Sequence, residues 1–303
     1  MNETIKCVSL DDEEFPVLLR EIPDPPSQLY YKGVLPKDAP GVGIVGTRKA
    51  SSEGRALARD VAEELSRRGF LVVSGLALGV DGAAHEGAIA GGGKTIAVLA
   101  NGLNEVYPRQ HEGLARRILE TRGALLSEYE PDSPSFPNQF LERNRIVSGL
   151  SIATIFIEVP IRSGALATAR QALLQGREVL VFPGPHYSKN YEGSHMLLRN
   201  GARIVTSVKD ILEDLFSLLP NYPMVRYDFE QEVASANVSR LDALEGVHEK
   251  RVYEVLQTAA KPLTVDNIAE MSTLEPHIVN QTLTFLFLSG FVEESGGSFH
   301  VKH

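Results

Sequence analysis

From Val42 to Val205, short and almost uninterrupted apolar runs alternate with longer segments in which apolar residues recur every three or four positions. The runs are GIV (43–45), FLVVS (70–74), TIAVLA (95–100), ALLS (124–127), IATIFIEV (152–159), EVLVF (178–182) and ARIV (202–205). Between them the helical period predicts a helix over 52–68, with Ala58, Val61, Ala62 and Leu65 on one stripe, and further helices near 80–90, 110–122, 138–149, 164–175, 194–200 and 208–218. Apolar runs without alternation suit strands covered on both faces, and repeated strand–helix units with right-handed crossovers build a parallel sheet. The predicted class is α/β, a doubly wound parallel sheet.

The pattern changes at both flanks. Residues 1–40 carry Pro16, Pro23, Pro25, Pro26, Pro36 and Pro40 around one short helix, which predicts an irregular N-terminal arm packed on the core. No period survives over 219–242, where Pro220, Asn221 and Pro223 predict a linker. Residues 243–303 read as helices over 248–259, 264–271 and 275–289, then a hairpin about Gly296-Gly297. Three helices and a two-stranded wing predict a C-terminal winged-helix domain. With 303 residues, the chain exceeds what one hydrophobic core organises well, so a core domain over 41–218 and a second domain are expected.

The residues that break the strand–helix pattern fall after strands: Gly46-Thr47-Arg48-Lys49, the run Ser74 to Gly79, Asn101 to Asn104, Arg162-Ser163-Gly164, and Pro183-Gly184-Pro185. Open α/β sheets bind ligands at the carboxyl ends of their strands, so these turns are predicted to share one edge. The stretch 140–168 concentrates the chemistry. It holds a basic helix with Arg143, Asn144 and Arg145, a buried strand, and a turn in which Ser163 is expected to cap the next helix. Gly164 there lets a ligand approach the backbone, and the helix dipole favours an anion.

Charge sharpens this reading. The formal net charge of −9 by itself opposes a polyanionic partner, but residues 209–303 carry 15 acids and 7 bases, leaving 24 acids and 23 bases in residues 1–208. Residues 139–203 hold 8 bases against 4 acids. Local charge decides where a polyanion docks, and the acidity belongs to the tail. The single cysteine, Cys7, excludes an intramolecular disulfide, no apolar run nears the length of a membrane span, and MNETIKC does not read as a signal peptide. A cytoplasmic protein without membrane insertion is expected.

Several motifs resolve to ordinary structure. Gly41-Val42-Gly43-Ile44-Val45-Gly46 matches GxGxxG, but its glycines lie within a strand, whereas a dinucleotide site needs them after one. Gly93-Lys94-Thr95 enters a strand where a phosphate loop leaves one. Asp81 and His85, four apart, are read as a helix cap and a buried hydrogen-bonding histidine rather than metal ligands. Ser74, Ser163 and Ser194 have no evident base partner, so no catalytic residue, cofactor or metal is predicted. Arg48 and Lys49, with Arg143, Arg145 and Arg162 at the same predicted edge, favour phosphate contact over solvated surface charge. Phe140 reads equally as a stacking platform or as core.

The motifs together resemble the DNA-processing protein A (DprA/Smf) family. The matching pieces are YYKG (30–33), VGTRKASSEG (45–54), SGLALGVDGAAH (74–85), TIAVLANGLNEVYP (95–108), LLSEYEP (125–131), FLERNRIVSGLS (140–151), RSGALATA (162–169), FPG (182–184) and GSHMLL (193–198). The resemblance implies an extended Rossmann-like domain that binds single-stranded DNA, forms a homodimer and loads the RecA recombinase during natural transformation, without catalysis. It implies that Arg48 is the phosphate-contacting arginine of the GTR turn, Phe140 the aromatic of the basic-helix segment, Arg143 and Arg145 its arginines, and Arg162 the basic residue before the Ser-Gly turn. Leu141, Asn101, Ala165 and His195 depart from the family's usual proline, glycine, serine and asparagine. No separate helical domain is read ahead of residue 30. The expected interface is therefore Arg48, Lys49, Phe140, Arg143, Asn144, Arg145, Arg162, Ser163 and Gly164. The rival reading is a nucleotide-derived ligand-binding protein or phosphoribohydrolase-like enzyme, whose PGGxGTxxE signature is absent. A purely structural scaffold sits poorly with so many glycines and arginines at strand ends.

Overall fold

The computed structural model describes residues 4–35, 39–215, 244, 246–259, 261–289 and 291–301. The predicted linker, and the last residues of the helix predicted to end at 218, lie outside the described residues. The chain divides into two compact units, Met1–Arg226 and Tyr227–His303.

In the first unit the strands are β1 (Lys6–Ser9), β2 (Gln28–Gly33), β3 (Gly41–Gly46), β4 (Leu71–Ser74), β5 (Thr95–Val98), β6 (Ala124–Ser127), β7 (Ala153–Ile157), β8 (Glu178–Val181) and β9 (Arg203–Ile204). The helices are α1 (Val17–Arg20), α2 (Ser52–Arg67), α3 (Val80–Ala90), α4 (Glu112–Glu120), α5 (Pro137–Gly149), α6 (Gly164–Leu174), α7 (Glu192–Arg199) and α8 (Val208–Leu215). One nine-stranded sheet runs in the order β1-β2-β6-β5-β4-β3-β7-β8-β9. From β6 to β9 all neighbours are parallel. The α/β class and the doubly wound sheet are as the periodicity predicts.

The N-terminal arm departs from expectation. It is not irregular: β2 pairs antiparallel with β6, β1 pairs antiparallel with β2, and together they extend the sheet. Phe15, Leu19 and Ile22 are buried in the same core as Val45, Val73 and Phe156. The proline-rich composition of the arm concealed two strands because its prolines lie between elements and not within them.

The glycines of the GVGIVG run answer to packing. A Cβ on Gly41 would lie 2.0 Å from the Leu150 carbonyl oxygen, and one on Gly46 would lie 1.9 Å from that of Ile157. Close approach of backbone, not a phosphate, requires them. On α3, a Cβ on Gly87 would lie 2.1 Å from the Arg59 carbonyl oxygen, so glycine brings α2 and α3 together.

The second unit has helices α9 (Val247–Thr258), α10 (Val265–Ser272) and α11 (Pro276–Leu288), with a small antiparallel sheet in the order β10 (Leu263–Thr264), β12 (Ser298–Val301), β11 (Val292–Ser295). Val252, Tyr253, Leu256, Ile268, Val279, Leu283 and Leu286 form its core. The three predicted helices and the hairpin are present, and the short β10 adds a third strand. No described helix is long and apolar enough to cross a membrane.

Asp81 and His85 face different partners. Asp81 Oδ2 accepts from the Gly75 and Ala77 amides at 3.1 and 3.4 Å. His85 Nδ1 lies 2.7 Å from Thr95 Oγ1, and that hydroxyl donates to the Val72 carbonyl at 2.7 Å. With its proton so committed, Thr95 accepts, and the His85 proton is held on Nδ1. Among the described residues no group of three or more His, Cys, Asp or Glu is placed to hold a metal ion.

Burial, helped by the nearby charges of His111 and Arg143, pushes the His85 pKa down to about 3 from its ordinary value of 6.5. In the unfolded chain it protonates near the ordinary value, so the stability it contributes is full above that pH and is lost as pH falls toward the folded value. Denaturant titrations at a series of pH values should show wild type losing about 1.4 kcal/mol per pH unit from this group across that window. His85→Asn, which keeps a donor for Thr95, should remove that component from the difference curve.

Candidate nucleic-acid interface

After β3 the chain winds outward through β4, β5 and β6, then returns to place β7 against the other side of β3. The carboxyl ends of β3 and β7 therefore flank the switch point of the sheet, where open α/β folds leave a crevice. A depression of about 320 Å³ lies there. The turn after β3 contributes Gly46, Thr47, Arg48 and Lys49, α5 contributes Phe140, Leu141, Arg143 and Asn144, and the turn after β7 contributes Arg162, Ser163, Gly164 and Ala165. Arg48 and Arg162, far apart in the chain, share one rim, with Arg143 lining the same depression.

Each wall has a local cause. Thr47 donates its amide to the Glu158 carbonyl at 3.0 Å and accepts the Lys49 amide on its hydroxyl at 3.2 Å, which folds the turn so that Arg48 and Lys49 project into solvent. The Arg48 guanidinium stands over the Phe140 ring at 5.0 Å, a cation–π contact. Tyr107 meets that ring edge-on at 5.5 Å. Ser163 caps α6 by accepting the Ala165 amide at 3.2 Å. Asn144 donates to the Gly164 carbonyl at 3.2 Å, joining α5 to the turn. A Cβ on Gly164 would meet nothing within 4 Å, so the α6 N-terminus opens on free space.

Arg143 is not the surface cation the sequence suggested. Only 4% exposed, it lines the floor and donates from Nη1 to the Gly75 carbonyl at 2.7 Å and to the Val98 carbonyl. Its charge interacts with buried Asp81. Burial lowers the Arg143 pKa to about 10, so it is still a cation at neutral pH, and burial pushes Asp81 upward. Gly75 makes room: a Cβ there would lie 2.5 Å from the guanidinium nitrogens. Through Nη1 the group holds carbonyls at the ends of β4 and β5 from the floor of the depression.

Arg145 is absent from the depression. Its Nε pairs with Asp24 at 3.0 Å and its Nη2 with Glu128 at 2.5 Å, clamping the N-terminal arm to the end of β6. Successive helical residues turn by about 100°, so two arginines two positions apart face different sides. The structure places Arg143 in the lining of the depression and leaves Arg145 outside it.

The model of the DNA recombination-mediator protein A family matches residues 6–216. The chain belongs to that family. Protein Smf of Escherichia coli is 38% identical over 297 residues, covering 96% of this chain and 76% of that protein. DNA processing protein DprA of Streptococcus pneumoniae is 39% identical over 207 residues, covering 68% of this chain and 73% of that one. The crystal structure of the S. pneumoniae protein superposes with a TM-score of 0.65 at 37% identity, covering 69% of this chain and 74% of its own. DNA processing protein A of Helicobacter pylori, described for its single-stranded DNA binding mode, superposes with a TM-score of 0.64 at 29% identity, covering 73% of this chain and 98% of its own. The chain thus carries a DNA-processing, recombination-mediator fold.

In this DprA/Smf member one residue that sequence reasoning missed holds the rim together. Glu158, 2% exposed and at φ 49°, follows β7 directly. Its carboxylate accepts the Ser51 amide at 2.8 Å, the Ser51 hydroxyl, and Asn190 Nδ2 at 3.1 Å. A Cβ on Gly54 would lie 2.4 Å from it, so glycine admits the carboxylate to the first turn of α2. An internal anion thereby satisfies the α2 N-terminus, while that of α6 opens on the depression. The signal was a lone acid closing the apolar run ATIFI.

Arg143→Ala should lower stability by about 3–5 kcal/mol, because Asp81 loses its buried counter-charge. Arg48→Ala should stay within about 0.5 kcal/mol of wild type, as exposed substitutions do. Urea denaturation of the two variants checks both.

Proposed function

We propose that the depression binds single-stranded DNA without sequence preference and without catalysis, as part of a recombination-mediator role in DNA processing. The observation that carries the reading is the gathering of exposed Arg48, Lys49 and Arg162 at one crevice that also contains the Phe140 ring and the open N-terminus of α6. Cations with a ring beside them suit a polymer of phosphates and bases, and stacking tolerates any base. A phosphate entering beside the turn draws Arg48 off the Phe140 face and frees the ring for a base. Arg143 acts beneath, fixing the floor, with Asn144, Ser163 and Gly164 shaping the turn above it. The likeness to the H. pylori protein supports this ligand.

The finer parts of the reading rest on the family: a homodimer that loads RecA during natural transformation. The domain scheme is a Rossmann-like DNA-binding core over 41–218 with its N-terminal arm, a linker over 219–242 and a winged-helix domain over 243–303. That last domain is poorly suited to duplex DNA. Residues 209–303 carry net charge −8, from 15 acids and 7 bases, and helix α11, PHIVNQTLTFLFL, contains no Lys or Arg. We assign it to a protein contact.

The test is the salt dependence of oligonucleotide binding. Each phosphate neutralised contributes about −0.7 to the log–log slope for a single strand. Arg48→Ala should reduce the slope by about that amount, while Arg145→Ala should leave it unchanged. An Arg48→Ala slope equal to that of wild type overturns the assignment.

A further inference from the structure

We infer that the loop after β8, residues 183–191, is a second station for the same single strand, with Tyr187 as its stacking ring and Lys189 as its phosphate contact. The inference rests on the single-strand reading above and extends the interface beyond the depression.

The placement comes from the sheet. β3, β7 and β8 are consecutive neighbours and all parallel, so the loops that leave their carboxyl ends line up on one edge. With neighbouring strands about 4.8 Å apart, the loop after β8 stands about 10 Å from the turn after β3, with the Arg162 turn between them. A strand laid across this edge from Arg48 past Arg162 meets the loop within a few nucleotides.

The chemistry suits it. The segment Pro-Gly-Pro-His-Tyr-Ser-Lys-Asn-Tyr contains two tyrosines, a histidine and a lysine, and no acid. Tyr187 is 80% exposed, and its ring meets the edge of His186 at 5.4 Å. A lone surface tyrosine is commonplace. What sets this one apart is the way its loop is held.

Turns from Ser188 to the Pro185 carbonyl and from Tyr191 to the Ser188 carbonyl, each 3.0 Å, fold the segment on itself. At its base the Tyr191 ring fills the space over Gly184, where a Cβ would lie 2.3 Å from it. His195 Nε2 donates to the Gly184 carbonyl at 3.1 Å. Asn190 binds Glu158, the carboxylate that also holds Ser51 at the start of α2, while the Glu158 carbonyl takes the Thr47 amide. One buried residue thus sets the loop and the Arg48 turn in fixed relation. A ring presented on an anchored loop loses little freedom on stacking.

The experiment is binding of an oligothymidylate series of increasing length, read by fluorescence anisotropy. Tyr187→Ala should weaken the longer oligomers about tenfold, the size of one lost base stack, and leave the shortest bound as by wild type. Tyr187→Phe should bind the whole series as wild type does. Lys189→Ala should lower the salt slope by about 0.7 for the longer oligomers only. Photo-crosslinking with 5-iodouracil should mark Tyr187. Wild-type affinity of Tyr187→Ala for every length, an equal loss at every length, or a change of oligomeric state with binding intact overturns the inference. If Arg48→Ala loses affinity while Tyr187→Ala does not, the second station falls and the single-strand reading stands. If wild type binds no oligomer, both fall.

Discussion

The rim depends on a guanidinium buried under it. Arg143 reaches from α5 to carbonyls at the ends of two parallel strands and lies beside Asp81, which in turn holds the amides of the loop after β4. Burying such a group without partners would be prohibitive, so the arrangement persists only with its acceptors and counter-charge in place. Its effect is to tie α5 to the sheet edge. Phe140 and Asn144, one turn or less away on the same helix, inherit that position.

A second tie works from the opposite side. Glu158 ends β7 in a left-handed conformation, which for a residue with a Cβ is tolerated only where surroundings over-determine it. Its carboxylate and carbonyl between them hold the start of α2 and the turn carrying Arg48. Arg143 with Asp81 on one side and Glu158 on the other thus organise the crevice, and Arg48, Lys49 and Arg162 are left exposed on it. The division of labour explains why a chain with net charge −9 can present a basic surface.

Much of this was legible in the residue pattern, for definite reasons. Apolar runs and helical stripes located β3 to β9 and α2 to α8 because both faces of the sheet are covered, and the turns after strands marked the edge where Arg48, Arg162 and the α6 N-terminus meet. Three things escaped. The strands β1 and β2 are only partly buried and lack the unbroken apolar runs of the central strands. The roles of Arg143 and Arg145 depend on angular position about one helix: charge counting treats them alike, whereas one lies in the interior and the other braces Asp24. Glu158 reads as a polar end to a strand until its three donors, two from Ser51 at the cap of α2 and one from Asn190, 32 residues further on, are brought to it.

The space beside Gly75 has a consequence for how such a protein can change. Since a single methyl group there would come within 2.5 Å of the Arg143 guanidinium, residue 75 can grow only if that side chain shifts from its carbonyls. A lineage that enlarged residue 75 would have to re-seat the arginine, and with it the counter-charge beside Asp81. Neighbouring exposed positions, Leu141 among them, carry no such obligation. Substitution is therefore easier at the lip of the crevice than at its foundation.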